Sequence, residues 1–414
     1  MRASTPPFLD AFVAGLRQSG ADVLHLGLLP TPMVYFAKRH LHAPGSAIVT
    51  ASHNPASVNG LKWMLGDRPP GPEDVRALAR DVAHPPSSET TNPEGLRSFD
   101  PSPDYQAWLK ETFATSSDAR FRIVLDPMFG CWAGRALPYL KGIFPRCEFL
   151  AVRDTPDPQF RGITPDPSHA KNLSELCETV RREKGDLGLA FDGDGDRVGF
   201  VDSDGVVLTA EQAVWVLLHT FGPQLSRSKF VYDLKFSDHL PETARSLGAE
   251  PLVERSGHAF IRKRMCDTGS VFGAEISGHY FFQALAGGDD ALYAACHLIA
   301  FLAGRNASLA ELRAQCPPVH ISSDLRVPVA AELQSAIVAR IRATWGRYPQ
   351  RTIDGVRIDT PEGWILVRPS VTEAALTFRF EGRDHESLEN LVHRFCSSSP
   401  DFGEELRAKF MQAR

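Results

Sequence analysis

Cysteine is sparse and shows no pairing pattern. The 414-residue sequence has seven cysteines: Cys131, Cys147, Cys177, Cys266, Cys296, Cys316 and Cys396. None stand in C-x-x-C spacing, which excludes a zinc ribbon and a thioredoxin motif. The odd count and irregular spacing favour reduced thiols in a cytoplasmic protein. Positive charge is not in excess: 45 Lys and Arg face 50 Asp and Glu, a net charge of −5. No basic stripe of the kind used to hold nucleic acid is present. The densest basic stretch, Arg262-Lys263-Arg264, reads as a solvated helix face. Long apolar runs are lacking too. No window reaches the roughly 18 uninterrupted apolar residues of a membrane span. Met1-Arg2-Ala3-Ser4-Thr5-Pro6-Pro7 has a charge but no apolar run behind it, so no signal peptide is read.

What remains is ordinary globular material, 43% hydrophobic and 23% charged. Its length suits about two to four domains. The chain alternates helix and strand patterns. Phe8–Gln18 has helical apolar spacing, and 22–27 reads as a strand. Thr31–His40 reads as a helix, with Thr31 at the N-cap and Pro32 in first helical position. Ser46–Thr50 is a strand that leads to Ser52. Proline and serine at 84–104 mark a boundary. Beyond it Arg122–Asp126 and Leu187–Phe191 read as strands and Ala133–Leu140 as a helix. A third unit holds the strand Phe230–Asp233 and the helix Asp290–Leu302. After Pro317-Pro318 the rhythm changes to a helix (Ala331–Trp345), two or three consecutive strands and a closing helix (Ser387–Cys396). The expected domains are 1–99, 100–208, 209–317 and 318–414. The first three follow a βα plan of mixed sheets, and the last is an α+β module with an antiparallel sheet.

Four constellations carry chemistry. In Asp192-Gly193-Asp194-Gly195-Asp196-Arg197, three carboxylates alternate with glycines that let the backbone curl until the carboxylates converge. Such hard oxygen ligands suit Mg²⁺ or Ca²⁺. An EF-hand is excluded, because Arg197 stands where its sixth-position glycine belongs and Ser203 where its glutamate belongs. The second constellation is Thr50-Ala51-Ser52-His53-Asn54-Pro55, where a serine sits at a strand end. Gly-x-Ser-x-Gly is absent, so this is no hydrolase elbow; alone, it reads as a turn as readily as a site. Lys62, in Asn59-Gly60-Leu61-Lys62, offers charge or proton exchange near the same loop. In Gly273-Ala274-Glu275-Ile276-Ser277-Gly278-His279, an extended segment would turn Glu275, Ser277 and His279 to one face. They suit sugar hydroxyls or, equally, a polar sheet edge. Arg368-Pro369-Ser370-Val371-Thr372-Glu373 reads as a phosphate cradle or as a hairpin turn bearing a solvated arginine.

In this order, the serine, metal, sugar and phosphate loops resemble the α-D-phosphohexomutase superfamily over nearly the whole chain. Ile276 is similar to the bacterial phosphomannomutase/phosphoglucomutase branch. The resemblance implies three similar mixed-sheet α/β domains and a C-terminal α+β domain around a central cleft. It implies reversible interconversion of hexose 1-phosphate and hexose 6-phosphate, of mannose or glucose. A phosphoserine at Ser52 and a hexose 1,6-bisphosphate intermediate would carry the transfer. Catalysis would fall to Ser52, His53, Lys62 and Arg197. Mg²⁺ would sit on Asp192, Asp194, Asp196 and the Ser52 phosphoryl oxygen. Glu275, Ser277 and His279 would hold the sugar, and Arg368, Ser370 and Thr372 the non-reacting phosphate. Glucose 1,6-bisphosphate would serve as activator. Partners would be small hexose phosphates, with no nucleic acid or membrane, in a monomer or weak homodimer.

Departures from the pattern set further expectations. The family opens with a strand bearing a Tyr/Phe-Asp-Ile-Arg-Gly-like motif, then a Gly-x-Asp-x-Arg-x-Ser turn. Met1-Arg2-Ala3-Ser4 is similar to the tail of that turn, so a first domain incomplete at its N-terminus is expected. Val371 and Ala374 replace the family's common asparagine and proline, which predicts weakened phosphate binding. Two competing readings follow: an impaired sugar-phosphate-binding pseudoenzyme, or a Mg²⁺-dependent sugar phosphatase.

Overall fold

The apolar runs of the sequence become the strands that deliver the functional loops. In the computed structural model, which describes residues 2–83, 92, 94–305, 307–370 and 374–412, three mixed-sheet α/β segments precede a C-terminal α+β segment. The chain divides into two compact units. One comprises Met1–Tyr232, Thr243–Leu252 and Gly257–Cys316, and the other Asp233–Glu242, Val253–Ser256 and Pro317–Arg414.

In the first unit, Leu187–Phe191 is buried along its whole length. It lies between the parallel strand Arg122–Asp126 and the antiparallel strand Val198–Asp202, in a four-stranded sheet. Val124, Ala190 and Val201 of this sheet pack on Leu176 and Val180 of the helix Ser174–Glu183. A five-stranded sheet follows. There Phe272–Ala274 runs parallel to Lys229–Asp233 and antiparallel to Tyr280–Phe282. At the N-terminal end the sheet is split. Among the described residues, Val23–His25 pairs only with Leu96–Ser98, and Gly45–Val49 only with Leu61–Leu65. Gly45–Val49 is half-buried throughout. Large apolar side chains stand exposed here, with Leu65 and Val82 each at 72%.

In the second unit the six-stranded sheet is antiparallel throughout. Its central pair is Gly363–Pro369 and Ala375–Gly382. Phe378 and Phe380 pack on Phe395 of the helix His385–Ser397. A further helix, Gly403–Gln412, was not expected from the sequence, and it buries Leu406 and Phe410 in the same core.

Several expectations change. The helix expected at Ala133–Leu140 runs Ala136–Ile143. Asp290 caps the helix Ala291–Ala303 instead of opening it. Thr31 is not an N-cap: the helix is Thr31–His40 with Pro30 at the cap, and the Thr31 hydroxyl turns to Asp194. Nor is Arg262 part of a solvated face. It is buried on the helix His258–Thr268, with its guanidinium 4.4 Å from the Tyr35 ring centroid. Apolar burial of its stem and the ring contact outweigh its hydration. Among the described residues, no helix is long and apolar enough to cross a membrane.

Candidate functional site

The serine loop hangs from an antiparallel hairpin in which Val49 faces Leu61 and Ile48 faces Lys62. Thr50 N–H closes it on the Gly60 carbonyl at 3.0 Å. Ser52 occupies left-handed backbone space with φ of +48°, a conformation disfavoured for a side-chain-bearing residue. It is held there by its neighbours. Ser52 N–H donates to Thr50 Oγ1 at 3.0 Å. Arg2 donates to the carbonyls of Ser52 at 2.8 Å, Asn54 at 2.7 Å and also Pro55. The strained backbone aims the hydroxyl, which donates to Asp192 Oδ2 at 2.8 Å.

The metal loop turns between Leu187–Phe191 and Val198–Asp202. Asp192 Oδ1 accepts the backbone N–H groups of Gly195, Asp196 and Arg197 at 2.9, 3.1 and 3.2 Å, which curls the loop around that carboxylate. Both glycines are required. A Cβ on Gly193 would lie 2.6 Å from the Ser52 carbonyl oxygen. Gly195 has φ of +81°, and a Cβ there would lie 2.5 Å from Trp132 Nε1. Asp192, Asp194 and Asp196 each bring an oxygen within 4.8 Å of the other two.

The cluster is tied to the serine hairpin. Thr31 Oγ1, Thr50 Oγ1 and Lys62 Nζ all donate to Asp194 Oδ2, at 2.8, 3.3 and 2.8 Å. Lys62 Nζ also reaches Asp196 Oδ2 at 2.6 Å. Burial opposes charge on Lys62, but Asp194 and Asp196 overcome it and hold the ammonium protonated well above the usual lysine range. Asp194 Oδ1 is buried and has no hydrogen-bond donor among the described residues. Hard carboxylate oxygens in convergence, one of them orphaned, fit a divalent cation such as Mg²⁺.

His53 Nδ1 lies 3.3 Å from Ser52 Oγ, and its Nε2 lies 3.7 Å from Asp166 Oδ2. Burial first, and then the charge of Arg197, push its pKa down to about 4. His53 is therefore a neutral imidazole at pH 7. Arg197 stands 3.8 Å from Asp192 Oδ2 and 3.9 Å from Asp166 Oδ1.

Glu275, Ser277 and His279 do meet, but not by strand alternation. The strand ends at Ala274, and a turn follows in which Gly278 N–H bonds the Glu275 carbonyl at 3.1 Å and Glu275 N–H bonds the His279 carbonyl at 3.0 Å. The turn folds the three side chains together. Ser277 Oγ is 2.9 Å and Glu275 Oε2 3.3 Å from His279 Nδ1. His279 Nε2 reaches Asp196 Oδ1 at 3.2 Å, and Val198 N–H bonds the Gly278 carbonyl. Sugar loop and metal loop are thus docked side by side. Burial disfavours charge on His279, but Asp196 raises its pKa to about 10.

The expected phosphate loop belongs to the second unit. Arg368 is no solvated arginine. It is buried and ion-paired, with Nε 2.8 Å from Asp354 Oδ2. Ser370 N–H closes the hairpin on the Ala375 carbonyl at 2.8 Å. Val371, Thr372 and Glu373 lie outside the described residues.

Sequence reading missed Arg2, Thr31, Asp166 and His258. His258 stacks on His279, with ring centroids 5.9 Å apart. Each acts across a long sequence separation. The one visible signal was chemical type: arginine, aspartate and histidine near glycine- and proline-rich turns.

Four segments match phosphoglucomutase/phosphomannomutase domains. Residues 1–85 match alpha/beta/alpha domain I, 103–205 domain II, 210–319 domain III and 325–398 the C-terminal domain. The phosphomannomutase/phosphoglucomutase of Pseudomonas aeruginosa is 30% identical over 393 residues, 94% of this chain and 84% of that protein. A phosphoglucomutase of Neisseria gonorrhoeae is 28% identical over 405 residues, covering 95% of this chain and 86% of that protein. The crystal structure of a phosphoglucomutase/phosphomannomutase family protein from Burkholderia thailandensis superposes with a TM-score of 0.85 at 26% identity, over 100% of this chain and 88% of that one. With four matched domains in order along nearly its whole length, the chain belongs to the phosphoglucomutase/phosphomannomutase family.

Proposed function

We propose that this phosphohexomutase interconverts the 1- and 6-phosphates of mannose, glucose or both, through a phosphoserine at Ser52 and a hexose 1,6-bisphosphate. The observation that carries the reading is the Ser52 hydroxyl. It is aimed from a strained backbone into the aspartate cluster, 2.8 Å from Asp192. In the forward step the phosphoryl group leaves Ser52 Oγ for the sugar hydroxyl, so one P–O bond breaks and another forms. In the return step the Ser52 hydroxyl attacks the other phosphate of the bisphosphate. Its proton points at Asp192 Oδ2, with neutral His53 Nδ1 as second acceptor. The Lys62 ammonium gives a proton to the sugar oxygen that departs in the return step; in the forward step its amine takes that proton back from the sugar hydroxyl, while Asp192 or His53 returns a proton to Ser52 Oγ. Asp192, Asp194 and Asp196 would hold Mg²⁺, which when bound neutralises charge on the transferring phosphoryl oxygens. Arg197 adds positive charge beside them. Glu275 and Ser277 bind sugar hydroxyls, with His279, expected at the sugar too, holding both side chains in place through its Nδ1, and Arg368, Ser370 and Thr372 bind the distal phosphate. Glucose 1,6-bisphosphate is the activator that primes Ser52.

Domain boundaries near 99, 208 and 317, a cytoplasmic location and a monomer or weak homodimer complete the reading. The test is an assay with Mg²⁺, glucose 1,6-bisphosphate and either mannose 1-phosphate or glucose 1-phosphate. Hexose 6-phosphate should accumulate with wild type and not with Ser52→Ala. Free phosphate as the sole product would instead indicate a phosphatase, and no product a binding protein. Full isomerase activity in Ser52→Ala would refute the phosphoserine route.

A further inference from the structure

Lys62 and a cation on the aspartate cluster draw on the same carboxylates. Its Nζ lies 2.8 Å from Asp194 Oδ2 and 2.6 Å from Asp196 Oδ2, and these residues share the cluster with Asp192. Two cations on one pair of carboxylates repel strongly where little water screens them. Lys62 therefore needs a second anionic acceptor to keep its ammonium in the site beside a loaded metal loop.

Asp289 fits that need. It closes the short strand Gly288–Asp289, which pairs with Tyr280–Phe282. It is 2% exposed, and among the described residues neither carboxylate oxygen has a hydrogen-bond donor. Burying a carboxylate without donors is unfavourable and uncommon, so its presence calls for a donor from a neighbouring group that can move. Asp289 is linked to Lys62 through Asp196: ligand atoms of Asp196, His279 and Asp289 lie within 4.8 Å of one another, and Lys62 Nζ is 2.6 Å from Asp196 Oδ2. The neighbouring cations whose charge it feels are His279, Lys62 and Arg262. His279 Nε2 is 3.7 Å from Asp289 Oδ2 but closer to Asp196, and its Nδ1 is engaged by Ser277 and Glu275. With both ring nitrogens engaged, His279 is a poor ligand for a second metal shared with Asp196 and Asp289. Arg262 is stacked over Tyr35. Lys62 combines a compact charge with a flexible four-carbon stem.

We propose that Asp289 is a positioning residue for Lys62. When a divalent cation engages Asp192, Asp194 and Asp196, the Lys62 ammonium transfers from Asp194 and Asp196 to the Asp289 carboxylate. There it remains inside the site, ready to give a proton to the sugar oxygen that departs in the return step. This rests on the reading of the aspartate cluster as a metal site and of Lys62 as the proton-exchange group.

The test is Mg²⁺ binding by calorimetry to the full chain: wild type, Lys62→Met, Asp289→Asn and the double variant. Removal of the competing ammonium should tighten Mg²⁺ binding in Lys62→Met by roughly tenfold. Asp289→Asn should weaken it several-fold, and most of that effect should vanish in the Lys62→Met background. An unchanged affinity in Asp289→Asn, or an equal loss in both backgrounds, would overturn the proposal. A change in melting temperature without a change in affinity would do the same and would assign Asp289 to balancing Arg262. A second measurement uses wild type alone. In protein labelled with ¹⁵N-lysine, the Lys62 Nζ resonance should shift on Mg²⁺ addition, and an unmoved resonance contradicts the transfer. If wild type binds no Mg²⁺ at all, the metal-loop reading fails together with this one. Normal binding without coupling removes this proposal alone.

Discussion

Ser52 owes its placement to residues that share no sequence neighbourhood with it. Gly193 allows the metal loop to approach the Ser52 carbonyl, where an added Cβ would lie at 2.6 Å against backbone. Gly193→Ala should push the serine and metal loops apart while leaving the buried sheet beneath intact. A displacement near 1 Å costs about 10²-fold in rate. The expected outcome is a kcat lower by about that factor with little change in melting temperature; unchanged kcat would show that the close approach is dispensable. The three aspartates and their glycines were legible in the sequence because alternation at a strand end is a local pattern. Thr31 was not. Its threonine-proline context suggested a cap, whereas its hydroxyl serves Asp194, 163 residues away. Arg262 was misread for a similar reason: a run of three basic residues does not reveal the tyrosine ring that buries one of them.

Among the elements, strands buried on both faces were the most legible. Arg122–Asp126 and Leu187–Phe191 were read to the residue, because a short continuous apolar run has few alternatives. The sugar turn was misjudged, since Glu275-Ile276-Ser277-Gly278-His279 alternates like a strand while Gly278, at φ of +92°, turns it. Two predictions belong at this scale. Asp290 caps the helix Ala291–Ala303, accepting from Tyr293 N–H at 3.0 Å and from the Tyr105 hydroxyl at 2.7 Å. Burial raises its pKa to about 7, so the folded state holds a proton that the unfolded chain releases near pH 4. That contribution to stability is complete below about pH 4 and is lost as pH rises towards 7. Asp290→Asn keeps the cap and should flatten the fall of melting temperature across that window; parallel curves would refute the assignment. The second prediction concerns the split N-terminal sheet. Gly45–Val49 is half-buried, whereas Leu187–Phe191 is fully buried. Its amides should exchange with deuterium well before those of Leu187–Phe191. Equal protection would show that the half-buried hairpin is as stable as the buried core.

For the molecule as a whole, the order of the four family domains was legible because each carries a stretch of distinct residue chemistry. The division into two compact units was not, because the stretches Asp233–Glu242 and Val253–Ser256 join the C-terminal unit from within the third segment. Ser237 and Trp364 both donate to Glu381, and Lys235 pairs with Asp324 at 3.0 Å. No local pattern in 233–242 announces those long-range partners. The proposed reaction passes the phosphoryl group through Ser52. The most direct measurement is to treat the protein with glucose 1,6-bisphosphate labelled in its phosphates, map the label by peptide mass spectrometry, and chase with unlabelled hexose 1-phosphate. One labelled phosphoryl group is expected on the Ser52 peptide, discharged by the chase into hexose bisphosphate and hexose 6-phosphate. Label on another residue, or label on Ser52 that the chase leaves in place while isomerisation proceeds, would contradict it.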